Sequence, residues 1–148
     1  MLAPGRPEAP FQYIDARDLA QLSLKLIEGG HAGTFHATAP AITWADLIHE
    51  LIDTLAARGA TVAWVASDWL VEQGVPPRDL PLWTGSDEPE HVFTLDPARA
   101  LAAGLTPRPL SETIADTATW LRDPAIVDPP ARLGLSPERE VLLLQRWH

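Results

Sequence analysis

Phe11-Gln12-Tyr13-Ile14-Asp15-Ala16-Arg17-Asp18-Leu19-Ala20 and, one helix length later, Gly33-Thr34-Phe35-His36-Ala37-Thr38 decide the fold class of this 148-residue chain. The first stretch reads as a short extended segment running into Asp15, whose carboxylate can cap a helix with Asp18 in its first turn. Leu19, Leu22, Leu26 and Ile27 recur at helical spacing until Gly29-Gly30, and Gly33 to Ala37 then reads as a strand. Strand, helix and strand in that order make one β-α-β unit, so the expected class is α/β.

Outward from that unit, Leu2 to Pro10 carries three prolines and a glycine and is expected to be an irregular loop. Thr43 and Asp46 have the spacing of a capping box, and Leu47, Ile48, Leu51, Ile52 and Leu55 form the apolar stripe of a helix that Gly59 should end. Thr61 to Val65 reads as a strand, followed by a short helix from a Ser67 cap to Gln73. Gly74 to Glu90 is a long Pro-rich loop, of the kind that is usually either functional or disordered. His91 to Leu95 reads as extended, Asp96-Pro97 as the start of a helix ending at Gly104, and Ser111 as the cap of a helix to about Arg122. In that last helix Ile114, Ala118 and Leu121 should face inward. The expected whole is a helix-rich small α/β domain over 1–122, a Pro-rich tether over 123–135, and a terminal docking helix over 136–148 with Val141 to Leu144 and Trp147.

With 46% hydrophobic and 21% charged residues, the chain has the composition of an ordinary globular domain. Eleven basic against 20 acidic residues give a net charge of −9, which opposes binding to nucleic acid or to an anionic membrane. The absence of cysteine excludes disulfides and thiolate chemistry. The longest aliphatic run, Val141 to Leu144, falls far short of the roughly 18 residues a membrane span needs, and a cytoplasmic location is expected.

Candidate chemistry is sparse. Gly29-Gly30-x-x-Gly33 follows a helix and precedes a strand, the wrong order for a phosphate turn, so it reads as a helix stop. Tyr13 and Arg17 stand four apart, but arginine does not titrate near neutral pH. His49-Glu50-x-x-Asp53 lacks the second histidine of a zinc helix and reads as a polar face. There is no Gly-x-Ser-x-Gly elbow, and Asp87, Glu88 and Glu90 read as an acidic surface loop. No catalytic, metal-binding or cofactor-binding residue is assigned. Of the six tryptophans, Trp83 lies in the Pro-rich loop, where an aromatic can line a ligand cleft or, equally, pack its own loop.

Taken in order, these segments resemble the NAD(P)-dependent epimerase/dehydratase family of extended short-chain dehydrogenase/reductases. Phe11 to Ala20 resembles the segment that crosses from nucleotide to substrate domain. Gly33 to Thr38 is similar to the family's Gly-x-Phe-Asn-x-x strand, and Leu47 to Leu55 to its following helix. Asp96 to Leu121 is similar to the terminal pattern, here Pro109-Leu110-Ser111-Glu112-Thr113-Ile114-Ala115-Asp116-Thr117-Ala118-Thr119-Trp120. The resemblance implies the C-terminal, substrate-binding portion of a Rossmann-type NAD(P)-binding fold. The glycine-rich turn and the Tyr-x-x-x-Lys pair are missing, so the chain alone should bind no cofactor and be inactive, NAD(P) belonging to a full-length parent. Family nucleotide-sugar enzymes usually carry arginine at the place of Phe11, so a smaller or less charged substrate is expected. Arg6, Phe11, Trp83 and His91 are then the candidates for the substrate wall. Helix faces over Leu19 to Ile27 and Val141 to Trp147 should favour self-association or docking to a nucleotide-binding half. The alternative is a non-enzymatic small-ligand or protein-interaction module descended from that family.

Overall fold

Burial of Leu2 and Ala3 decides the first departure from expectation. Where three prolines pointed to a loop, Leu2–Pro4 forms strand β1, because its single proline stands at the strand's end, a position that tolerates a missing N–H. The computed structural model describes residues 1–57, 59–87, 93–123 and 134–147. The remaining elements in chain order are β2 (Pro10–Phe11), α1 (Ala16–Glu28), β3 (Ile42–Thr43), α2 (Trp44–Thr54), β4 (Ala63–Val65), α3 (Ser67–Glu72), α4 (Ala98–Ala102), α5 (Leu110–Leu121) and α6 (Pro137–Trp147). β1 pairs in parallel with β4, Leu2 opposite Ala63 and Pro4 opposite Val65. β2 pairs antiparallel with β3, Phe11 opposite Ile42. The fold is thus a small, helix-rich α/β assembly.

The strand expected over Gly33 to Ala37 does not form. Among the described residues the chain there has no ladder partner, and a side chain holds it instead: Arg99 donates to Ala32 O at 3.0 Å and Thr34 O at 3.1 Å, and its guanidinium lies 4.4 Å from the Phe35 ring centroid. Thr38 Oγ1 and Ala39 N then donate to Tyr13 O at 3.1 and 2.8 Å. Gln12 ties the next stretch to the 93–95 segment, donating to Ala39 O at 3.3 Å and to Leu95 O at 2.8 Å and accepting from Leu95 N at 2.9 Å.

Helix boundaries follow local chemistry where nothing overrides it. Asp15 caps α1 by accepting from Arg17 N at 2.8 Å, and Gly30, at φ +64°, ends it in a left-handed conformation that glycine adopts without cost. α2 has its full capping box, Asp46 N donating to Thr43 Oγ1 and Thr43 N to Asp46 Oδ2. It stops at Thr54 rather than at Gly59, because Ala56 turns left-handed at φ +52° and Ala57 N closes onto Ile52 O. Ser67 does not cap α3: its side chain is buried and accepts from Trp83 Nε1. α5 begins at Leu110, one residue before the expected Ser111 cap, and Leu121, expected inward, is 56% exposed while Ile114 is buried. Asp96 Oδ1 accepts from Ala98 N at the start of α4, and Ser136 Oγ from Arg139 N at the start of α6.

Three apolar clusters hold these elements. Leu2, Val65, Leu70, Trp83 and Leu143 join the β1–β4 pair to α3 and α6. Phe11, Trp44 and Leu47 join β2 to α2, and Leu22, Ala100 and Leu105 join α1 to α4. α6 is bound in further by Glu140 Oε1 accepting from Leu2 N at 2.6 Å and by the Trp147 ring set edge-on to Trp69 at 5.1 Å. The prolines of the expected tether, 124, 129 and 130, lie outside the described residues. On the outer surface Leu24, Ile27 and Val141 are more than half exposed. Among the described residues no helix is long and apolar enough to cross a membrane.

Candidate functional site

A cleft of about 60 Å³ opens where the end of β1, β2, the start of α2 and the 82–87 loop meet. Aromatic packing builds its floor. The Phe11 ring lies 5.3 Å from Trp44 and 5.5 Å from Phe93, and Trp44 Nε1 is fixed by donation to Pro4 O at 3.0 Å. Trp83 closes one side. Its indole is buried and donates to Ser67 Oγ at 2.8 Å, which locks the ring in one orientation. The charged residues complete the lining: Arg6 Nη2 donates to the backbone oxygen of Asp87 at 2.9 Å, and Asp87 Oδ2 accepts a long bond from Ser67 N at 3.4 Å. Leu82, on the rim, takes φ +69°, a strained conformation for a residue with a Cβ, and such strain gathers at ligand sites.

Arg6, Phe11 and Trp83, separated by up to 77 positions, thus line one cleft. His91 lies outside the described residues. Trp44, Asp87 and Phe93 were missed. Trp44 reads in sequence as the first residue of a helix, and Asp87 as one more acid in an acidic loop, so neither advertises a cleft. Among the lining residues there is one guanidinium and one carboxylate, with Thr84 and Ser86 adding hydroxyls. This inventory can bind and orient a small ligand through an apolar wall and two opposite charges. It contains no paired nucleophile and base.

A second polar constellation joins the start of α1 to α5. Arg17 grips Asp15 at 2.9 and 2.7 Å and reaches Asp116 at 2.5 Å, while Thr113 Oγ1 donates to Asp15 Oδ2 at 2.7 Å. Arg108 donates to both Asp18 oxygens, from its backbone N at 2.9 Å and from Nε and Nη2 at 2.9 and 2.7 Å. The Arg17 hydrogen bonds hold the Asp15 carboxyl well below the usual carboxylate range, with Thr113 and Arg108 adding to the effect against the opposing cost of burial. Arg108 lowers Asp18 in the same way, again against burial. Tyr13 moves oppositely: burial, then the charges of Asp18 and Glu50, push its phenol up. Arg17 is committed to two carboxylates, so the Tyr13–Arg17 spacing does not produce an activated phenol. Among the described residues no group of three or more histidines, aspartates and glutamates could hold a metal ion.

Set against protein-family models, curated proteins and solved structures, the chain matches none.

Proposed function

We propose that this chain is the substrate-binding half of an NAD(P)-dependent epimerase/dehydratase-like oxidoreductase, working in the cytoplasm with a nucleotide-binding half that supplies the nicotinamide cofactor and the hydride chemistry. The observation that carries this reading is the convergence of Arg6, Phe11 and Trp83 on one aromatic-walled cleft. The Asp15–Asp18 segment and the 108–116 segment, which carry two separate parts of the family resemblance, are also tied together directly, as parts of one inherited substructure would be. In this reading the C-terminal part of a Rossmann-type fold is represented by the β1–β4 pair and its helices. The exposed Leu24 and Ile27 on α1 then serve as the docking face for the nucleotide-binding half.

The chain holds neither a Gly-x-Gly-x-x-Gly turn nor a Tyr-x-x-x-Lys pair. Calorimetric titration of the purified chain with NAD(H) and NADP(H) should therefore give no saturable heat. Saturable binding of either, displaced by a competing dinucleotide, would place the cofactor site on this chain and overturn the division of labour.

A further inference from the structure

Arg6 is the one cation among the described residues that line the cleft, and it is exposed. Its Nη2 donates to the backbone oxygen of Asp87 at 2.9 Å, which positions the guanidinium while engaging one of the five N–H donors an arginine carries. It makes no ion pair with a carboxylate of any described residue. The acid of the lining, Asp87, is engaged elsewhere: Oδ2 accepts from Ser67 N at 3.4 Å, and Oδ1 is buried against the turn after β1, where a Cβ on Gly5 would stand 3.0 Å from it. A positioned guanidinium with most of its donors free therefore shares the cleft with an apolar wall of Phe11, Trp83 and Leu82, the last of them 59% exposed on the rim.

Resting on the substrate-site reading above, we infer that the cleft takes a small monocarboxylate with an apolar body, which Arg6 binds by its carboxylate. The planar fork of arginine matches a carboxylate bidentately, and a charge-assisted pair of this kind is among the stronger hydrogen-bonded contacts. The body of the ligand lies against Phe11, Trp83 and Leu82. These side chains favour an apolar chain, because the indole N–H of Trp83 is already bonded to Ser67 Oγ and leaves no polar group of theirs to be met. Asp87 sets the charge. One guanidinium and one carboxylate line the cleft, so a second negative group on the ligand would face Asp87 with no further cation to offset it. A phosphate monoester, close to doubly charged at neutral pH, is disfavoured on the same ground.

Butyrate, butyramide, succinate and acetate make the discriminating set of probes. The first three share a four-carbon chain and carry one, no and two negative charges, and acetate keeps the carboxylate but loses most of the apolar body. Tryptophan fluorescence of the folded chain, read through Trp83 and Trp44, should saturate with butyrate at a concentration about tenfold below that needed for each of the others. Arg6→Gln, a change at an exposed side chain, should erase the preference for butyrate over butyramide. Should R6Q fail to fold by circular dichroism, the wild-type ratios decide alone. Equal affinity for butyrate and butyramide overturns the carboxylate assignment while leaving the cleft a ligand site. Succinate binding as tightly as butyrate overturns the restriction to one charge, and acetate doing so overturns the apolar body. No saturable response to any of the four overturns the cleft reading as well, and cofactor binding in the separate titration overturns only the division of labour.

Discussion

Asp18→Ala is expected to lower the unfolding free energy by about 3 kcal/mol, close to 10 °C in Tm for a chain of this length. The carboxylate is 4% exposed and accepts three hydrogen bonds from one residue, Arg108, 90 positions away. Alanine would leave the Arg108 backbone N–H and most of its guanidinium without acceptors in a partly buried site, and the loss of a buried partner costs more than the pair itself contributes. Asp15, 3.5 Å from Arg108, gives partial compensation and keeps the figure below the upper end of the range. Asp18→Asn, which keeps an oxygen but not the charge, should cost about half as much. The pH dependence follows from the same contacts. Asp15 and Asp18 are both more acidic in the folded chain than in the unfolded one. Their contribution is therefore complete above the ordinary carboxylate range near ~4 and is lost as pH falls through their lower folded values. The wild-type Tm should drop steeply between about pH 4 and pH 2, and D18A should show a shallower slope over that window. Thermal melts across the pH series measure both quantities.

Leu143→Ala is the second large effect, again about 3 kcal/mol, measurable by urea titration. Leu143 is the α6 residue with no solvent exposure, seated on Leu2, Val65 and Leu70 from three other elements. Truncation removes apolar contact with all three and leaves a cavity that the short β1–β4 pair is poorly able to collapse around. Because α6 also supplies the Glu140 oxygen that accepts from Leu2 N, loosening it should unfasten the first strand. Val141→Ala, on the exposed face of the same helix, should change stability by less than about 0.5 kcal/mol and serves as the control.

What could be read from sequence was what the chain decides locally. The α2 capping box and the Gly29-Gly30 stop depend on residues three or four apart, and they stand where the spacing put them. Contacts made across the fold were hidden. Asp18 reads in sequence only as an acid in the first turn of a helix, whereas its partner is Arg108. Ser67 looked like a cap, but a buried indole N–H claimed its hydroxyl. The Gly33 to Ala37 segment has strand composition, yet strand identity belongs to a pair of segments, and here the Arg99 side chain takes the carbonyls of Ala32 and Thr34. The cleft was half legible. Trp83 drew notice as an aromatic in a Pro-rich loop, while Asp87 gave no signal, because the partnerless oxygen that sets it apart exists only after Gly5 closes over it.

The claim at the centre is that Arg6, Phe11 and Trp83 line the ligand site of this chain, and a ¹⁵N–¹H correlation spectrum recorded during addition of small organic carboxylates tests it most directly. The expected result is a saturating shift of the Trp83 and Trp44 indole signals and of the Arg6, Phe11 and Asp87 amides, with α1 and α5 unmoved. Saturating shifts confined to the Arg17–Asp116 surface, or a spectrum unchanged by any of these carboxylates, would contradict it.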